Sequence, residues 1–156
     1  MHSHTKKMKK LTQLVYISRS TSVRPENFKG IEPTVGRILL KSRINNKRSG
    51  LTGVLYFGDG CFFQCIEGEK EAVFDLLQKI KDDPRHSDIT VRSQRFIEKR
   101  SFGSWEMKFV AIEAPLTKLL ESRGYKRFDP YQFDDQMDES VLHFLGAATA
   151  VDTISE

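Results

Sequence analysis

Polar side chains interrupt the runs of this 156-residue chain that otherwise read as buried core. Gln64 stands among Phe62, Phe63, Cys65 and Ile66, and Tyr16 stands among Leu14, Val15 and Ile17. Ser42, Asn45 and Asn46 continue, at helical spacing, an apolar stripe that begins with Val35, Ile38 and Leu39. Asp83 does the same for the stripe of Leu76 and Ile80. Burying a primary amide is costly unless its two donors and its acceptor are met. An amide group left unpaired costs about 1–3 kcal/mol. If these faces meet, they outline a slot with apolar walls from Ile38, Leu55, Phe62 and Ile80. Amides, a phenol and a carboxylate stand at its edges. That makeup suits a planar ligand whose ring carries both N–H and C=O groups. Each residue also has an ordinary reading. Asn45 and Asn46 can cap a helix, Tyr16 can be a core tyrosine, Gln64 can lie on an exposed strand face, and Asp83 can be plain helix-end chemistry. Only their convergence favours a ligand.

The elements that must position them follow from local patterning. Residues 11–18 ("LTQLVYIS") read as a strand with a Ser/Arg/Thr-rich exit. Pro33 suits a helix start, and "RINNKRSG" (43–50) ends that helix at Gly50. "LTGVLYF" (51–57) and "CFFQCIE" (61–67) flank the turn "GDG" and predict a hairpin. Residues 69–83 predict a helix with Val73, Leu76, Leu77 and Ile80 on one face, stopped by Pro84. Residues 89–97 and 107–112 predict two more strands, and 116–123 and 138–151 two helices. The order β-α-β-β-α-β-β predicts an α+β, ferredoxin-like sheet with two helices on one face. The central strands are apolar on both sides, so the second face needs cover, which the C-terminal helices are expected to supply. The organisation expected is a flexible basic tail (1–10), a ligand-binding body (11–112) and a helical cap of the same unit (113–156).

Composition narrows the classes. The formal charge is +4, but Lys6, Lys7, Lys9 and Lys10 carry it; without them 21 basic residues face 21 acidic ones. The body is neutral, which argues against a nucleic-acid surface. No apolar run approaches the ~18 residues of a membrane span. The N-terminus lacks the apolar core of a secretory signal, so a cytoplasmic protein is expected. Cys61 and Cys65, four residues apart on one strand, would lie ~13 Å apart, beyond disulfide reach. His2, His4, His86 and His143 show no metal-ligand spacing with them, so no metal is expected.

From Leu11 to Val110 the sequence resembles the BLUF family, blue-light sensors that use a flavin. The resemblance is carried by "LVYIS", "SRINNKRSGLTGVLYF", "FFQCIEGE", "DDPRH" and "FGSWEMKFV". It implies a flavin between the first two helices, with FAD as the cofactor and FMN as the alternative. It implies that Tyr16 is the redox-active tyrosine and that Gln64 stands between that phenol and the flavin. Asn46 would hold the ring's O4/N3 edge, with Asn45 and Ser42 beside it, and Ile80 would contact the ring. Lys79 and Asp83 would lie near the O2 side, where Lys79 lacks the bidentate fork of an arginine. Arg85 and His86 match a polar region near the ribityl–phosphate chain, and Trp105 and Met107 match two residues tied to signal output. The implied mechanism is a reversible, light-driven proton-coupled electron transfer that leaves a changed hydrogen-bond arrangement around Gln64. No substrate is turned over, so no enzyme is expected; output would pass through a homo-oligomer or an unidentified partner protein. Two rivals remain. "RSFGSWEMKFV" is superficially like an RNA-binding strand but departs from it at Ser101 and Trp105. An acylphosphatase-like hydrolase would use Arg19 and Arg24, but no glycine-rich cradle accompanies them.

Overall fold

The computed structural model describes residues 11–21, 33–103, 108–110 and 114–147. The basic tail, Arg24, Trp105 and Met107 lie outside the described residues. Along the chain come β1 (Leu11–Ser20), α1 (Pro33–Ser49), β2 (Thr52–Gly58), β3 (Cys61–Glu69), α2 (Lys70–Lys81), β4 (His86–Ile97), β5 (Lys108–Val110), α3 (Ala114–Ser122) and α4 (Asp135–Ala147). The strands form one sheet in the order β4-β1-β3-β2-β5. All neighbours are antiparallel except β2 and β5, which run parallel. The order 4-1-3-2 with two intervening helices is the predicted ferredoxin-like arrangement. β5 extends it beyond β2.

β1 and β3 are buried on both faces because they are central and both faces are covered. On one face Leu14, Tyr16, Leu51 and Ile66 pack against Val73 and Leu77 of α2. On the other, Val15, Ile17, Val54, Phe63 and Cys65 pack against Leu116 and Leu120 of α3 and against Met137, Val141 and Leu145 of α4. Each such side chain contributes about 1.5–3 kcal/mol when fully buried. The doubly apolar strands therefore find the second cover that their pattern demands. Cys61 and Cys65 are both buried free thiols.

Turn chemistry sets the hairpin register. Asp59 and Gly60 both take positive φ (49° and 80°), the two-residue turn whose twist matches paired strands. Gly58 then pairs with Cys61 and Leu55 with Gln64. Most boundaries shift by one or two residues from the sequence reading, and two starts shift by three. β4 starts at His86 rather than 89, because Ser20 pairs with His86 and Arg19 with Ser87 across irregularities in the β1–β4 ladder. α4 starts at Asp135 rather than 138, because Asp134 Oδ1 accepts the Met137 N–H at 2.7 Å and caps the helix. A short 3-10 turn, Pro130–Gln132, occupies the link ahead of it.

Arg92 ties this cap to β4. Its guanidinium donates to Asp138 Oδ2 (2.9 Å), to the Pro130 carbonyl (3.2 Å) and to the Phe133 carbonyl (2.6 Å). Burial raises the Asp138 carboxyl pKa, and Arg92 opposes that shift. Arg92→Met is expected to destabilise the protein by ~3–5 kcal/mol near neutral pH, because it strands a buried carboxylate. A raised folded-state pKa means the folded protein binds the proton more readily than the unfolded chain. The deficit should therefore shrink as pH falls through the raised pKa. Urea titrations at pH 7 and pH 5 check both statements.

Candidate functional site

Tyr16, Gln64 and Leu55 form one row across β1, β3 and β2: Tyr16 is the Cα partner of Gln64, and Gln64 of Leu55. All three are buried. The Tyr16 hydroxyl donates to Gln64 Oε1. Pairing on one strand ladder brings the two side chains together on one face. Burial, with the Asp83 charge adding to it, pushes the Tyr16 phenol well above its ordinary range, so it stays a protonated donor.

The next row toward the hairpin on the same face is Ser18, Phe62 and Phe57. The Phe62 ring lies 4.8 Å from the Phe57 ring and 4.8 Å from the His86 ring. His86 Nδ1 lies 2.9 Å from Ser18 Oγ. Burial lowers the His86 pKa, with Asp83 opposing and Arg85 assisting, which favours the neutral imidazole. Asp83, at the end of α2, is held by Arg85: the Arg85 backbone N–H (2.9 Å), Nε (3.0 Å) and Nη2 (2.7 Å) all donate to its carboxylate. That hydrogen-bonded partner holds the Asp83 carboxyl below its usual range.

From α1, Ile38 and Asn46 are buried, the Asn46 amide completely, while Ser42 and Asn45 are half-buried. Ile80 is half-buried on α2, and Lys79 beside it is exposed. The sheet row, the end of α2 and His86 are thus drawn together by contacts; Lys79 lies on the solvent side. The donor set suits a flavin ring: two fully or nearly buried amides from different elements, a phenol, and apolar surface from Ile38, Leu55 and Phe62.

The family model "BLUF: Sensors of blue-light using FAD" matches residues 11–108. The chain belongs to the BLUF family. This BLUF chain is 34% identical over 145 residues to the photoactivated adenylate cyclase subunit beta of Euglena gracilis, covering 88% of itself but only 16% of that protein. It is 35% identical over 98 residues to the blue light- and temperature-regulated antirepressor BluF of Escherichia coli K12, covering 63% of itself and 23% of the relative. Its fold superposes on BlsA in the photo-activated state with a TM-score of 0.81 at 31% identity, covering 92% of this chain and 99% of that one. The chain thus spans a small part of the curated relatives' length and nearly all of BlsA. Among the described residues, no helix is long and apolar enough to cross a membrane.

One side chain beside the site and one on the opposite sheet face were missed from the sequence. Ser18 shares a strand face with Tyr16 two residues on, a spacing that could have flagged it. Glu67, the last residue of the strand read over 61–67, is fully buried.

Proposed function

We propose that this BLUF chain senses blue light by rearranging the hydrogen bond between Tyr16 and Gln64, with FAD as its flavin. The observation that carries the reading is that bond: a buried phenol donating to a buried amide on one ladder row. The flavin, when bound, absorbs blue light and serves as the reversible electron acceptor. Asn46 and Gln64 present buried amides to a ring edge, Asn45 and Ser42 flank Asn46, and Ile38, Leu55, Phe62 and Ile80 supply apolar contact. Asp83, fixed by Arg85, places a carboxylate at the end of α2 with Lys79 outside it, and His86 stays on the Phe62 ring. FAD is favoured over FMN by the family's own description; the ring contacts would serve either.

Loss of an electron makes a phenol far more acidic. The Tyr16 proton already sits in a bond to Gln64 Oε1, which gives it a path without any side-chain search. An amide suits the response because its two ends are alike in shape and opposite in hydrogen-bonding sense. Rotation or tautomerisation of Gln64 therefore stores a new donor pattern in a side chain of nearly unchanged shape. Return of the proton and electron to Tyr16 leaves no net chemistry. We assign output to Trp105 and Met107, acting on a partner protein or a second copy of the chain, with the 113–156 segment as a cap of the same unit. The core shared by β1, β3, α3 and α4 supports that last assignment.

The test is a visible spectrum of the flavin-loaded protein in the dark and after blue light, beside Gln64→Leu. The expected wild-type result is a small red shift that reverses in darkness. Gln64→Leu should be yellow and spectrally unresponsive. A protein that takes up no flavin, or a Gln64→Leu variant that shifts normally, overturns the assignment.

A further inference from the structure

Glu67 lies on β3 and faces away from the Tyr16–Gln64 pair, toward the C-terminal helices, yet it is 0% exposed. A carboxylate at that depth needs several donors. Three converge on it. The Phe102 N–H donates to Oε1 at 2.8 Å, the Ser101 N–H to Oε2 at 3.0 Å, and Gln13 Nε2 to Oε2 at 2.8 Å. Gln13 is the Cα partner of Glu67, as Tyr16 is of Gln64. The same two strands thus carry two buried polar pairs, one on each face, three residues apart. Arg100 fastens the same loop with bonds to Thr52 Oγ1 (2.9 Å), the Glu67 carbonyl (2.9 Å) and the Gly50 carbonyl (2.8 Å). On the β1 side, Gln13 Oε1 accepts Arg95 Nε at 2.9 Å.

We propose that Glu67 is a positioning residue for the light response: through its bond to Gln13 it makes the grip of β3 on the 98–103 loop depend on how β1 and β3 are registered at Tyr16 and Gln64. This rests on the Tyr16–Gln64 reading above. The physical reason is the acceptor-only chemistry of a carboxylate. Two backbone N–H groups of the loop and one amide of β1 share two oxygens, so any shift of β1 against β3 re-aims the atoms on which the loop hangs. A hydrogen-bond change three residues along the same ladder is a direct way to cause that shift. The loop lies immediately ahead of the chain leading to β5, whose Lys108 Nζ donates to the Gly146 carbonyl of α4 at 3.1 Å. A loosened loop therefore acts on a strand already tied to the helical cap.

Amide hydrogen exchange on the flavin-loaded full chain, in darkness and under continuous blue light, tests this. In wild type, the Ser101 and Phe102 amides should exchange roughly 5–10-fold faster in the light, the equivalent of weakening one hydrogen bond. Glu67→Gln places an NH2 group among donors and should exchange at the fast rate in both states while keeping the red shift. Gln13→Met cuts the tie to β1 but spares the loop's bonds, and should stay slow in both states, again with the red shift intact. Light-independent exchange at 101–102 in a wild type that shifts, or a wild-type light difference in both variants, overturns the proposal. A wild type without the red shift overturns the Tyr16–Gln64 reading and this one with it.

Discussion

Tyr16→Phe should bind flavin, remain yellow and lose its reversible response to blue light. The substitution removes one oxygen from a fully buried ring whose apolar contacts with Leu14, Ile66 and Val73 stay in place. The fold should therefore survive with a loss of about 1 kcal/mol, the net worth of one hydrogen bond. The photochemical loss should be far larger. Phenylalanine has no O–H to donate to Gln64 Oε1, so neither the proton nor its path exists. Removing a positioned proton-transfer group typically costs 100-fold or more, roughly the lower bound expected for the drop in photoconversion yield. Raising the pH should not imitate the substitution. The Tyr16 phenol is held protonated by burial and by the Asp83 carboxylate, so its charge state should not change across the range in which the protein is folded. The measurement is the amplitude of the light-minus-dark absorbance difference at equal flavin loading. A full-amplitude difference in Tyr16→Phe would remove Tyr16 from its role.

Gly53→Ala should be the most damaging single-methyl change in the sheet. A Cβ at Gly53 would land on the Cys65 carbonyl oxygen, with the Cys65 carbonyl carbon at 3.1 Å and Ile66 Cα at 3.3 Å. All three atoms belong to the backbone of β3, so no rotamer change relieves the overlap. The strand that must give way carries Gln64 and Glu67 and is buried along its length. Overpacking of this kind costs ~3 kcal/mol or more. For a chain of this size that corresponds to a Tm lower by roughly 6–12 °C. The red shift should also weaken, because any displacement of β3 is carried along the ladder to the Tyr16–Gln64 row. Gly146→Ala is the control, since its Cβ meets only the Phe102 ring, with Cε1 at an ordinary 3.7 Å and Cζ at 4.0 Å. Thermal melts that place Gly53→Ala and Gly146→Ala within 1 °C of each other would refute the steric argument.

Tyr16 and Gln64 stood out in the sequence because each is a polar misfit in an apolar strand; their pairing was implied by the family resemblance, and the structure forms the bond between them. A misfit is a local signal, visible before any partner is known. The doubly apolar strands β1 and β3 likewise announced that both sheet faces would be covered, and the C-terminal helices cover the second face. Asp59–Gly60 announced the turn that places Leu55 beside Gln64. Lys79 was placed near the site by the family resemblance, and its side chain is exposed on α2.

Composition, period and turn chemistry thus determined by themselves the element order, the hairpin register and the polar residues that do not belong in a core. Those properties are set within a few residues of chain, where sterics and burial pattern act directly. The tertiary structure alone decided that Gln13 and Glu67 pair across β1 and β3, that two loop amides hang on the Glu67 carboxylate, and that Arg92 reaches both the 3-10 turn and α4. Those bonds span 34 to 54 residues of sequence, with 38 and 46 separating Arg92 from its partners in the 3-10 turn and α4. A charged residue near a strand end looks the same in sequence whether it meets water or buried donors, because the donors arrive only when distant segments have packed.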